Sequence, residues 1–375
     1  MKRLLKIFGV LALVTALALA IAISHDSACP DSLPALAAGA TPMKAARFHC
    51  YGGPEVVHVE DAAKPVPARD EVLVRVHAAG LNPLDWHYMR GVPYLMRLSG
   101  GFGRPKDPTM GVDFAGVVEA VGQDVTRFKP GDRVFGAKGG ALAEYVAVSE
   151  TRNVLPKPER ISFEQAAGVG VAAVTALQAL RDQGELKAGQ KVLVNGASGG
   201  VGTFAVQIAK ALGAQVTGVC STRNVELVRS IGADRVVDYT QEDFTQGTER
   251  YDLVVDMVGN HSFGKIRRVL EPTGRYVIVG ANSDGRWLGG LTTALEAVAA
   301  SRFAKQDAVF FIAKMRPEDI AFLAGLMADG KLTPVVDQVY PLADVAEALT
   351  YLETGRARGK VVVSVVPAEA AEPPG

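Results

Sequence analysis

From Met43 onward the chain is written in short stretches where apolar and polar residues alternate. Glu71-Val-Leu-Val-Arg-Val-His-Ala78 and Phe114-Ala-Gly-Val-Val-Glu-Ala-Val121 repeat with period two, which predicts half-buried strands. The turns Tyr51-Gly-Gly-Pro54, Lys129-Pro-Gly-Asp132 and Lys138-Gly-Gly140 separate such stretches, and many short strands with few helices predict a small, partly open β-barrel. The period changes near Ser162. Ser162-x-x-Gln165 forms a capping box, and the run through Leu180 carries helical spacing. From Lys191 strands and helices alternate: strands Lys191–Val194, Gln215–Val219, Arg235–Val237, Asp252–Asp256 and Tyr276–Val279, with helices Thr203–Leu212, Asn224–Ile231 and Ser262–Leu270 between them. Such alternation predicts βαβ units, a parallel sheet and right-handed crossovers, hence an α/β fold. Beyond Ala281 the pattern predicts helices Pro317–Ala328 and Ala343–Glu353 and a last strand, Lys360–Val366. That strand can pair with the early barrel, which would make the first domain discontinuous. The expected divisions are 1–42, 43–167, 168–309, 310–368 and a disordered tail, 369–375.

The N-terminus has a different pattern. Met1-Lys-Arg-Leu-Leu-Lys6 is basic, and Ile7–Ile23 is a run of seventeen residues without charge. This predicts an N-terminal hydrophobic anchor spanning a membrane once, with a cleaved signal (Ala18-x-Ala20, Ala20-x-Ala22) as the alternative. Lys2, Arg3 and Lys6 precede the run, so the positive-inside rule places everything after it outside the cytoplasm. Ser24–Pro42 reads as a linker.

Composition narrows the function classes. The 375 residues are 48% hydrophobic and 21% charged, enough for two cores, and forty basic against forty acidic side chains leave no field to recruit nucleic acid. Cys29, Cys50 and Cys220 are widely spaced, which supports neither a disulfide framework nor a cysteine zinc site.

Candidate chemistry concentrates in Val192-Leu-Val-Asn-Gly-Ala-Ser-Gly-Gly-Val-Gly202, a strand, a glycine-rich turn and a helix start. The first N–H groups of a helix have no internal partner, so this turn predicts a phosphate cradle. As a G-x-G-x-x-G fingerprint it runs Ala197-x-Gly199-x-x-Gly202, with alanine in the first slot. The next strand ends Val219-Cys-Ser-Thr-Arg-Asn224, without the acidic residue that accepts from the ribose of NAD. Ser221, Thr222 and Arg223 suit a 2′-phosphate instead, so the expected cofactor is NADPH.

Residues 43–368 resemble the medium-chain dehydrogenase/reductase superfamily, and its zinc-independent NADPH:quinone oxidoreductase branch in particular, which includes the mitochondrial reticulon-interacting members. The resemblance rests on Asp70–Asp85, Gly111-Val-Asp-Phe-Ala-Gly-Val-Val-Glu-Ala-Val-Gly122, Phe128-Lys-Pro-Gly-Asp-Arg-Val-Phe135, Ala143-Glu-Tyr145, the glycine turn and Gly359-Lys-Val361, in this order. It implies a GroES-like domain made from both chain ends (43–167 and 310–368) around a Rossmann domain (168–309), with the active site between them. It also implies that Ser198, Gly199, Gly200 and Val201 hold the pyrophosphate, that Ser221, Arg223 and Tyr239 surround the 2′-phosphate, and that a homodimer forms. In the frames of the zinc enzymes' ligands stand Asn82, Val112 and Val171, and two valines cannot bind a metal, so no metal is expected. The pocket candidates are Asn82, Tyr88 and Tyr94, with His87 beside them; Asn82, Pro83 and Asp85 also read as a helix cap. The expected activity is hydride transfer to a quinone or α,β-unsaturated carbonyl compound. The alternative is a membrane-tethered protein that binds NADPH and acts through partners.

Overall fold

Two sheets divide the chain in this computed structural model, which describes residues 2–280 and 285–366. A helix, α1 (Lys2–Ser24), leads to an antiparallel hairpin of β1 (Pro42–Phe48) and β2 (Val57–Ala63). The first sheet starts with β3 (Glu71–Gly80), followed by α2 (Pro83–Arg90), α3 (Arg97–Gly100), β4 (Asp113–Val121), β5 (Arg133–Ala137), β6 (Tyr145–Ser149) and β7 (Val154–Pro156). Two short helices, α4 (Phe163–Ala167) and α5 (Gly170–Leu177), lead into the second sheet. Its parts are β8 (Lys191–Asn195), α6 (Gly200–Ala211), β9 (Gln215–Cys220), α7 (Val225–Ser230), β10 (Arg235–Asp238), β11 (Tyr251–Asp256), α8 (Phe263–Ile266), β12 (Leu270–Ile278), α9 (Leu291–Ser301) and β13 (Asp307–Phe310). After α10 (Pro317–Ala328) the chain returns through β14 (Val336–Pro341), α11 (Val345–Glu353) and β15 (Lys360–Ser364).

The second sheet is all parallel, ordered β10-β9-β8-β11-β12-β13. Its central strands are apolar on both faces; Val192, Leu193 and Val194 are buried completely. The strand order reverses between β8 and β11, and ligands of such sheets bind in the crevice outside the strand ends there. The first sheet is ordered β14-β15-β3-β4-β5-β7. One edge of β3 serves two partners: Glu71–Arg75 pair with β6, while Ala78–Gly80 pair with β15 from the far end of the chain. Register shifts within the β3–β4 ladder bend the strand between these halves and curl the sheet.

The helix expected through Leu180 is broken into α4, α5 and a π-type turn, Gln178–Gln183. The capping box itself is formed: Ser162 Oγ accepts from Gln165 N, and Gln165 Oε1 accepts from Ser162 N, both at 3.1 Å. The break lets the chain pass close to Asp113, since a Cβ on Gly170 would lie 2.1 Å from the Asp113 carboxylate. Helix α10 packs its Ile320, Leu323 and Met327 into the core of the second sheet. The expected disordered tail lies outside the described residues.

Two expectations are corrected. The single membrane span, and with it the membrane localisation, is overturned: among the described residues no helix is long and apolar enough to cross a membrane. The segment leaving α1 is not a free tether either, for Ile23 is buried and Asp26 pairs with Gly103 as a β-bridge. The cysteine spacing supports no disulfide framework, yet Cys29 and Cys50 form a disulfide. Their separation of 21 residues carried no pairing signal; the bridge depends on how the N-terminal segment lies across the first domain.

Candidate functional site

At the switch point β8 ends in Asn195, and Gly196 makes the tight turn with φ +86°. The turn glycine therefore stands one residue before the alanine slot read from the sequence. Gly196 and Ala197 both donate to Val219 O, at 3.2 and 3.0 Å, which closes the turn against β9. Gly202 is required for packing, because a Cβ there would lie 2.1 Å from Gly196 O. Gly199 and Gly200 behave differently: no atom lies nearer than 3.5 Å to a Cβ built on either. At the amino end of α6 these two glycines add no side chain over the helix start, where unpaired N–H groups favour an anion.

The residues expected at the adenosine end stand at the close of β9. Asn224 is buried there and joins its parts, donating to Ser198 Oγ at 2.9 Å and to Ser221 Oγ at 3.4 Å. Its own Oδ1 is buried without a partner. Arg223 is exposed and donates to Arg356 O at 2.6 Å, so a second arginine from the returning C-terminal segment lies beside it. Tyr239 is 62% exposed just past β10, with its N–H bonded to Cys220 O at 3.0 Å. Asp238 is the acidic neighbour, and Thr222 Oγ1 donates to it at 2.6 Å. Of the expected cofactor residues, the structure brings Ser198, Gly199, Gly200, Val201, Ser221 and Arg223 to one edge, with Tyr239 at its rim. Asn224 and Arg356 were missed. Asn224 was visible only as a helix start, and the position of Arg356 depends on the chain's return.

Across the switch point, Asp256 ends β11 and is fully buried. It accepts from Asn195 Nδ2, Tyr276 OH and Val258 N, each at 2.8 Å, and from Gly259 N at 2.9 Å. The turn after β11 is thereby pinned to the end of β8. Burial and this carboxylate together push the Tyr276 phenol far above its usual range.

The frames that would carry metal ligands converge around Asp113. Its carboxylate accepts from Val171 N and from Asn82 Nδ2, each at 2.9 Å. Lys360, from β15, projects into the same place and is almost wholly buried. Its Nζ donates to Asn82 Oδ1 at 2.6 Å and Leu81 O at 2.7 Å, and lies 3.8 Å from Asp113. Asp85 caps α2, its carboxylate accepting from Asn82 N at 2.7 Å. Burial pushes the Asp85 carboxyl up to about 7, raises that of Asp113 and lowers the Lys360 ammonium. Asn82 thus spends both ends of its carboxamide inside the protein and presents neither to the cleft. Among the described residues no group of three or more His, Cys, Asp or Glu is arranged to hold a metal ion.

Tyr88 is half exposed, while Tyr94 is 6% exposed and spans the domains. Tyr94 N donates to Arg286 O at 2.7 Å, and its ring meets the edge of Trp287 with centroids 5.3 Å apart. Segment 285–290 therefore reaches from the second sheet to the wall formed by α2 and α3. His87 Nδ1 donates to Val92 O at 2.8 Å, and burial lowers the ring's basicity, so it acts as a loop tie. Trp287 was missed because nothing in its own neighbourhood signals a partner almost two hundred residues away.

The description "Alcohol dehydrogenase GroES-like domain" matches residues 68–159, and "Zinc-binding dehydrogenase" matches residues 231–363. The chain is 34% identical to "NAD(P)H oxidoreductase RTN4IP1, mitochondrial" of Danio rerio over 88% of this chain and 93% of that protein. It is equally 34% identical to the 2-methylene-furan-3-one reductase of Solanum lycopersicum, over 87% of this chain and 80% of the other. The solved quinone oxidoreductase of Coxiella burnetii superposes with a TM-score of 0.75 at 31% identity, covering 87% of this chain and all of that one.

Proposed function

The chain belongs to the medium-chain dehydrogenase/reductase superfamily, and on that premise we propose that it is an NADPH-dependent reductase whose acceptor is a quinone or an α,β-unsaturated carbonyl compound. That it is an oxidoreductase using a nicotinamide cofactor follows from the relatives; NADPH over NADH, the acceptor and the residue roles are our reading. The domain boundaries we propose are 43–167 with 310–368 for the GroES-like domain and 168–309 for the Rossmann domain. A homodimer is proposed as well, which light scattering tests directly.

The observation that carries the reading is the glycine turn at the start of α6 facing a second domain, with serine and arginine and no acidic residue in the stretch that ends β9, Asp238 standing on the neighbouring strand. When bound, the nicotinamide supplies a hydride. Ser198, Gly199, Gly200 and Val201 would hold the pyrophosphate by backbone and hydroxyl donors, strengthened by the positive end of α6. Ser221 and Arg223, with Arg356 beside them, would hold the 2′-phosphate, and the exposed Tyr239 ring would cover the adenosine. The Asn224 carbonyl oxygen without a partner has the chemistry to accept from a ribose hydroxyl. Asp256 and Asn195 keep the crevice floor fixed. The wall of Tyr88, Tyr94 and Trp287 would enclose a flat apolar acceptor. Orientation and exclusion of water do most of the work, since a reduced quinone's oxygens can take protons from solvent.

The reading predicts oxidation of NADPH by small quinones or enones, followed by the loss of cofactor absorbance. Tight NADPH binding without turnover of any quinone, enone or aldehyde would sink it.

A further inference from the structure

Arg97 is the largest fully buried side chain among the described residues, 1% exposed, and three of its five polar partners lie in a segment outside both matched family regions. Its Nε donates to Gly91 O at 2.7 Å and its Nη2 to Arg90 O at 3.3 Å, both on its own side of the wall. Its Nη1 turns to the N-terminal segment, lying 2.7 Å from the Asp26 carboxylate and donating to Ile23 O at 3.1 Å and His25 O at 3.2 Å. The guanidinium lies between two rings, 4.2 Å from Tyr51 and 4.6 Å from Tyr94. Tyr94 in turn meets Trp287. Ser27 N donates to Gly103 O at 2.9 Å, and two residues later Cys29 is bonded to Cys50, next to Tyr51. Cys29 is exposed and Cys50 buried.

We propose that residues 23–29 form a strap that fixes the acceptor wall through Arg97, and that the Cys29–Cys50 disulfide is a reducible latch on that strap. Arg97 is a positioning residue here, acting on the acceptor through Tyr94. The inference rests on the reading of Tyr94 and Trp287 as the acceptor wall. With the strap in place every nitrogen of the buried guanidinium meets an acceptor. Without it Nη1 loses its carboxylate and both carbonyls and is opened to water, which frees the side chain to leave its place against the two rings. The latch opens by ordinary exchange. One thiolate of a dithiol attacks the exposed Cys29 sulfur, and Cys50 leaves as a thiolate and takes a proton. The second thiol then displaces Cys29, which also takes a proton, and closes a cyclic disulfide. The protein gains two electrons and two protons, and the dithiol loses them.

The test uses the full chain before and after dithiothreitol, with alkylation and mass measurement showing both cysteines free, and the Cys29→Ser variant beside it. Reduction should raise KM for a small quinone by roughly 3–10-fold while leaving NADPH affinity unchanged, and Cys29→Ser should show the raised value with no response to reductant. Hydrogen exchange across residues 91–104 should speed up on reduction whether or not turnover occurs. Unchanged exchange with both thiols free overturns the strap, as does faster exchange with an unchanged quinone KM. Faster exchange in a protein that reduces no acceptor leaves the strap standing and removes the proposed function.

Discussion

The two sides of the cleft are built on different principles. The proposed cofactor side is mostly local: one glycine turn, one helix start and the end of the neighbouring strand lie within about thirty residues, with Tyr239 at the rim and Arg356 as the distant addition. The acceptor side is assembled from four distant pieces of chain. Lys360 reaches Asn82, Arg97 reaches Ile23 and Asp26, and Tyr94 reaches Trp287. A local site survives as long as its turn survives, whereas a composite one fails at whichever long-range tie is cut.

The sharpest way to break that contrast is to cut the buried ion cluster. Lys360→Met leaves Asp113 buried without its cation, and should cost about 3–5 kcal/mol in denaturant unfolding, with activity falling as the wall loosens. On the cofactor side, Gly202→Val should cost a similar or smaller amount of stability but abolish NADPH binding in calorimetry, since the new side chain must displace the turn. Arg223→Ala should raise the NADPH KM by about tenfold and leave that for NADH nearly unchanged, which measures how far the local site sets cofactor choice.

Titration gives a smaller handle on the acceptor side. The Asp85 carboxyl sits higher in the folded protein than in the unfolded chain, about 7 against 3.8, so the native state binds the extra proton. Stability therefore falls as pH rises through that window, and the penalty is complete above about 7. Asp85→Asn keeps an acceptor for the α2 cap but cannot ionise. It should match the wild type below about pH 4 and exceed it by about 1–3 kcal/mol near pH 8 in unfolding midpoints. The smallest expected effect is at Asp238: replacing it with Asn should improve NADPH affinity by up to about twofold, since an exposed charge is well screened.

The same contrast explains what could be read in advance. The parallel sheet and its glycine turn follow from periodicity and from glycines at fixed offsets, and the split first domain from one apolar strand left over at the end; the order of the strands appears only in the fold. Asn82 shows where such reading stops. Its place as the residue before Pro83 was visible, but not that its carboxamide would face Lys360, because that depends on a partner 278 residues later. The Cys29–Cys50 bridge and Arg97 are similar cases: each needs the N-terminal segment to be placed before its chemistry has meaning. The apolar run misled for a related reason, since hydropathy alone does not tell a span from a segment whose end docks on its own protein.

The pairing of β15 with β3 also sets an order of events during synthesis. The edge of β3 at Ala78–Gly80 has no strand to meet until Ser364 has left the ribosome, and Asp113 has no counter-ion until Lys360 arrives. By then every strand of the second sheet has been made and can pair. The Rossmann unit is therefore free to mature first, while the early barrel waits half-closed with a bare edge. A stalled or clipped chain missing its last strand would carry a finished nucleotide fold attached to an open, adhesive sheet.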